Sequence, residues 1–142
     1  LGGSGWTKAS VESMRAFLEQ NHLAAGASFR CQDLLDNRSS SYAGHVGIGI
    51  DPNLAQRIKD ADVVMVIGAR LGEMTSSAYT LFDVPVPRQT LIHVHAGAEE
   101  LGRVYQGAVL VNSGYPQFVD ALASLELDGA KWRKGTEEAR QN

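Results

Sequence analysis

A single cysteine, Cys31, among 142 residues excludes an internal disulfide, and its scarcity fits a reducing, cytoplasmic setting. No apolar run approaches the ~20 residues that span a bilayer, so nothing reads as a membrane segment. Excess charge is missing too. The formal net charge is −3, and the basic residues are scattered apart from a mild cluster at Lys131, Arg133 and Lys134. That excludes the electrostatic footprint of a nucleic-acid binder. The chain reads without an initiator methionine, signal peptide, internal repeat or low-complexity tract. What remains is 44% hydrophobic and 20% charged, the balance of one soluble globular domain with enough length to bury a core.

Leu1-Gly2-Gly3-Ser4-Gly5 reads as the end of a strand entering a tight turn, although an expression linker shares that composition. Trp6 and Thr7, directly ahead of a helix, favour the turn, so the chain is expected to begin partway into its first unit. Ser10 is a candidate cap for a helix to about Gln20, with Val11, Met14, Phe17 and Leu18 on one stripe. Ala27 to Cys31 is a candidate strand, and Gln32 to Asp51 a long polar, Gly-rich connection of the kind that tends to be functional. Asp51-Pro52 is a helix start with the acid at the cap and proline in the first turn. Val63 to Ile67 is an unbroken apolar run, expected to be a strand covered on both faces.

Leu91 to His95 is another strand, followed by a short helix with Leu101, Val104 and Tyr105 inward. A strand at 109–111 and a helix bearing Phe118, Leu122 and Leu125 close the pattern. Strand and helix alternating in this way predict an α/β fold: a doubly wound parallel sheet of about six strands with helices on both faces, its first strand truncated. Residues 1–127 are then one domain, and 128–142 a polar tail or linker toward a further domain.

In such a sheet ligands gather at the carboxyl ends of the strands, where Gly-rich turns bring phosphates to helix N-termini. Gly2-Gly3-Ser4-Gly5, Gly44-His45-Val46-Gly47-Ile48-Gly49 and Gly68-Ala69-Arg70 all qualify by position. None completes a dinucleotide fingerprint or a phosphate loop, and a plain tight turn explains each of them more often. Arg70 could stack on an adenine or pair with a phosphate; equally, it could bridge to Glu73 or Asp83. His93 and His95 share one strand face, but no third ligand is spaced to make a metal site with them, which favours structural histidines. Cys31 reads as a structural thiol. No nucleophile elbow and no Ser-His-Asp set can be argued from spacing.

The stretch from Gly44-His45-Val46-Gly47 through Lys59-Asp60-Ala61-Asp62-Val63-Val64-Met65-Val66-Ile67-Gly68-Ala69-Arg70 resembles the central domain of thiamine-diphosphate enzymes of the acetolactate-synthase type. Ile92-His93-Val94-His95 with Glu100-Leu101-Gly102-Arg103 resembles the family's next segment, and Gly2-Gly3-Ser4 its opening turn. The resemblance covers about residues 2 to 125. It implies a Rossmann-like domain of the DHS-like NAD/FAD-binding type, standing between two others that hold thiamine diphosphate and Mg2+. The Gly-Asp-Gly motif and activating Glu of those other domains are not found here. It also implies contacts with the other domains of a parent chain and a homodimer or homotetramer in the full-length enzyme, which would act on a 2-keto acid as a lyase or transferase.

By position, Gly2, Gly3, Gly44, His45, Gly68, Arg70 and His95 match the residues with which relatives line a bound FAD or ADP. The family's acidic pair is not carried over: His95 and Gly97 stand in its place, Ala98 replaces the usual Pro, and Gly114 replaces an Asp at the last helix. A carboxylate is the usual acceptor for ribose hydroxyls, so FAD binding is expected to be poor. The leading expectation is a non-catalytic domain of a carboligase or decarboxylase. The alternatives are a free-standing FAD-, NAD- or ADP-binding protein or oxidoreductase on the same fold, and a pure interaction module.

Overall fold

Alternating strands and helices give the chain an α/β architecture in the computed structural model, which describes residues 1–141. Helix α1 spans Lys8–Gln20, α2 Pro52–Asp60, α3 Tyr115–Ala123 and α4 Arg133–Gln141. The strands are β1 (Ala25–Ser28), β2 (Tyr42–Val46), β3 (Val63–Ile67), β4 (Thr90–His95) and β5 (Val109–Asn112). All pairings are parallel. No helix among the described residues is long and apolar enough to cross a membrane.

Among the described residues the expected six strands are five, in a two-stranded sheet β1–β2 and a three-stranded sheet β3–β4–β5. A sixth lane lies between the two sheets and holds Leu1 and Gly2. The Leu1 amino group donates to the Gly26 carbonyl (2.8 Å), Ser28 N–H donates to the Leu1 carbonyl (2.8 Å), and Gly2 N–H donates to the Ile67 carbonyl (3.0 Å). Two residues are too few for a strand, yet they bond in the parallel pattern to β1 on one side and β3 on the other. With that lane counted first, the spatial order is 3-2-1-4-5-6, that of a doubly wound fold.

Helices lie on both faces. Met14, Phe17 and Leu18 of α1 pack with Tyr115, Val119 and Leu122 of α3 over Ile67 and Val94. Ala55 and Ile58 of α2 join the opposite cluster, built around Val66, Leu71, Phe82 and Leu91. The complete burial expected of β3 is found only at its carboxyl end. Val63 and Met65 are 56% and 39% exposed, whereas Ile67 lies under α1 and α3.

Local expectations fare unevenly. Asp51 caps α2, accepting from Asn53 and Leu54 N–H through Oδ1. The cap of α1 is Thr7, not Ser10. Ser10 is the third residue of a reciprocal capping box, its N–H bonded to Thr7 Oγ1 and its Oγ accepting from Thr7 N–H. The strand read at Ala27–Cys31 sits two residues earlier, and the supposed polar loop contains β2. The helix expected around Leu101–Tyr105 is a single 3-10 turn at Ala98–Glu100, although Tyr105 is buried as expected.

The stretch read as a polar tail from Asp128 on folds back on the domain. Trp132 Nε1–H donates to the Asn21 carbonyl, Thr136 Oγ1–H to the His22 carbonyl, and Arg57 Nη1–H to the Gly135 carbonyl. Asn21 is the anchor: it is 4% exposed, its Nδ2 donates to Phe17 O (2.9 Å), and its Oδ1 accepts from Leu127 N–H (3.0 Å). Asn21→Ala removes the acceptor of Leu127 N–H, while the Phe17 carbonyl keeps the backbone N–H of residue 21, and is expected to cost about 1 kcal/mol. Urea unfolding measures that loss, and hydrogen exchange will show faster exchange concentrated in residues 127–141.

Candidate functional site

The topological switch point lies between the Leu1–Gly2 lane and β3, and in this fold that is where a ligand crevice opens. Here the two turns that should flank it touch. Gly3 (φ +75°) and Gly68 (φ +84°) both adopt left-handed backbone. A Cβ at Gly3 would overlap the Gly68 carbonyl oxygen, and one at Gly68 would overlap the Gly2 carbonyl oxygen. Gly3 and Gly68 are therefore explained by backbone meeting backbone, and Gly2 by the Ser28 and Ala69 side chains packed against it, without a phosphate between them.

Above this contact sit three rings from distant parts of the chain. Trp6 stacks on Tyr115 (centroids 5.4 Å apart, 24° between planes) and donates its indole N–H to the Gly2 carbonyl (2.9 Å). His95 meets the Tyr115 ring edge-on at 6.4 Å. Tyr115 is 3% exposed, and its ring abuts the space where a side chain on Gly68 would begin.

Four of the backbone donors near these turns are already engaged. Ser10 N–H at the start of α1 bonds Thr7 Oγ1 (3.1 Å), Gly97 N–H bonds His95 Nδ1 (2.9 Å), Gly68 N–H bonds the Val94 carbonyl (2.9 Å), and Ala96 N–H points to Tyr115 Oη at 3.4 Å.

The other expected residues are dispersed. Gly44 lies within β2 (φ +124°) against Leu54. His45 is tied into its own loop: Gln32 donates to Nδ1 (3.1 Å) and Nε2–H donates to the Ile48 carbonyl (3.1 Å). Arg70 pairs with neither Glu73 nor Asp83. Its Nε lies 3.6 Å from Glu100 Oε1, and Arg103 Nη1 lies 3.2 Å from the same oxygen. This trio edges a cavity of about 260 Å3 with Tyr79, His93 and Tyr105 in its walls.

His93 is 3% exposed and donates Nε2–H to the Ala69 carbonyl (2.9 Å). Burial lowers its pKa, with the Ala69 bond acting in the opposite direction. His93 and His95 approach edge to face at 6.1 Å, and among the described residues no three His, Cys, Asp or Glu side chains are placed to hold a metal ion. Cys31 is half-buried, with Gly3 its nearest recorded polar neighbour.

A nucleotide does not fit these residues. FAD or ADP needs space at the switch point, free amides for its phosphates and a carboxylate for its ribose. The Gly2–Gly3 and Gly68 turns are in contact, the Gly97 and Ala96 amides face His95 and Tyr115, and His95 and Gly97 supply no carboxylate.

Sequence reasoning missed Trp6, Tyr115 and Glu100. Trp6 follows the Gly turn and Tyr115 opens the last helix, which is suggestive position by position. Nothing local announces that residues 109 positions apart will stack. A family described as the thiamine pyrophosphate enzyme central domain matches residues 1–122. No curated protein matches the chain.

Two predictions follow from the geometry. Gly68→Ala forces a Cβ into the Gly2 carbonyl at a positive φ and is expected to cost on the order of 3 kcal/mol, read as a lowered urea midpoint. For His93, the unfolded imidazole takes up a proton near pH 6.5 while the folded one resists it. Its contribution to stability is therefore intact above about pH 6.5 and is lost as pH falls below it. Thermal melts of the wild type should drop between pH 7.5 and 5, and His93→Gln should flatten that drop.

Proposed function

Because this chain belongs to the thiamine pyrophosphate enzyme central domains, we propose that it serves as the non-catalytic central domain of a carboligase or decarboxylase of the acetolactate-synthase type. The parent enzyme acts on a 2-keto acid, forming or breaking a carbon–carbon bond beside the carbonyl. Thiamine diphosphate and Mg2+ belong to its other domains. When bound there, the cofactor supplies the stabilised carbanion that this chemistry requires.

The observation that carries the reading is the family match over residues 1–122 together with a strand-end crevice holding no acid–base pair, nucleophile or metal cluster among the described residues. A fold alone does not set a function, and here the site contains no reacting groups to add to it. What these residues do is structural. They hold a parallel sheet between two helical layers, and they fix the outgoing segment through Asn21 and His22, so that neighbouring domains would be attached to a rigid block. Subunit contacts in a homodimer or homotetramer are part of the same proposal.

The test is enzymatic. The purified chain, supplied with thiamine diphosphate, Mg2+ and pyruvate, is expected to show no pyruvate consumption above the buffer rate in a coupled assay. Turnover by the chain alone would overturn the assignment.

A further inference from the structure

We infer that the strand-end crevice is closed from within, and that Trp6, stacked on Tyr115, is the group that keeps adenine nucleotides out. The inference rests on the geometry of the crevice and stands whichever reaction the parent enzyme catalyses.

The argument begins with what an empty crevice requires. A nucleotide site in this fold presents an aromatic-sized gap, several inward-facing amides and a glycine turn, and the ligand satisfies all three when it binds. In this chain a side chain fills the gap, the Ala96 and Gly97 amides face Tyr115 and His95, and the glycine turn meets another backbone. The indole of Trp6 lies flat on the Tyr115 ring at 5.4 Å, within the 4.5–7 Å range of stacked aromatic pairs. That is the placement in which a base would stack on a protein ring. The indole N–H takes the Gly2 carbonyl, Tyr115 Oη takes Ala96 N–H, and His95 Nδ1 takes Gly97 N–H.

The arrangement is built from three separate elements: the turn before α1, the end of β4 and the start of α3. Tyr115 and His95 are integral to the core and to the β4 turn. Trp6 is half-buried at the rim, so it is the removable piece. With the indole gone, the Tyr115 face is left bare beside the Gly2–Gly3 turn, with Arg70 on a neighbouring strand end as a cation for phosphate.

The experiment compares the wild-type chain with Trp6→Ala and Trp6→Phe, titrating ADP and FAD by calorimetry, with folding checked by circular dichroism. Wild type and Trp6→Phe are expected to bind neither probe. Folded Trp6→Ala is expected to bind ADP at least about tenfold more tightly than wild type, the order of gain one newly exposed stacking surface provides. Low-micromolar binding of either nucleotide by the wild type overturns the inference, and that arm decides even if Trp6→Ala does not fold. A folded Trp6→Ala as silent as wild type also overturns it, as does a Trp6→Phe that binds as well as Trp6→Ala.

Discussion

Two glycine turns in backbone contact, Gly2–Gly3 and Gly68, hold the two halves of this domain together. One half is not self-sufficient: a two-stranded parallel pair is marginal in water, and β1–β2 is one. It is joined to β3–β4–β5 through Leu1 and Gly2, whose three backbone hydrogen bonds reach both sheets, and through α1, which packs across the seam onto Leu35 and Ile67. Any side chain at Gly3 or Gly68 would push the carbonyls apart and open that seam. The left-handed backbone at both positions adds a second reason for glycine, and the two reasons reinforce each other.

The same contact decides what the carboxyl edge of the sheet can do. In a doubly wound fold the switch point is open because the chains leaving its two strands diverge. Here they meet, and the rings of Trp6, Tyr115 and His95 fill what is left above them. Polar capacity is displaced to the flank, where Arg70 and Arg103 share one oxygen of Glu100 beside the cavity under Tyr79. Both guanidinium groups remain largely exposed, so this cluster is a solvated ion network of small energetic weight.

Features governed by local chemistry were legible in the sequence. The Asp51-Pro52 start, the stripe of α1 and the apolar run of β3 each depend on neighbours within one or two turns of chain, and each stands where the residues placed it. The parallel α/β class followed from their alternation. β2 was not legible, because Tyr42-Ala43-Gly44-His45-Val46 has two small residues and one polar one where a buried strand usually carries branched apolar side chains. Burial of β3 was overestimated because periodicity reports what a strand could cover, whereas the α1–α3 layer packs on Ile67 and not on Val63 or Met65. The segment after Asp128 looked like a linker because it is polar, yet its docking relies on one buried amide, Asn21, supplied 106 positions earlier. At the site, the glycines were identified by position while their reason was not: a glycine turn that receives a phosphate and one that receives another backbone have the same sequence.

The missing carboxylates and the added rings are best understood as one change. An inward-facing amide left unpaired costs about 1–3 kcal/mol, so strand-end amides need acceptors whether or not a ligand supplies them. His95, standing where a ribose acceptor would be, turns its Nδ1 onto Gly97 N–H; Gly114, standing where another acid would be, precedes a tyrosine whose hydroxyl reaches Ala96 N–H. On both sides of the crevice the protein itself thus places an acceptor within reach of a strand-end amide. With both in place the strand ends are paired and packed without a cofactor, and rigidity that a bound nucleotide would otherwise confer comes from Trp6 lying on Tyr115.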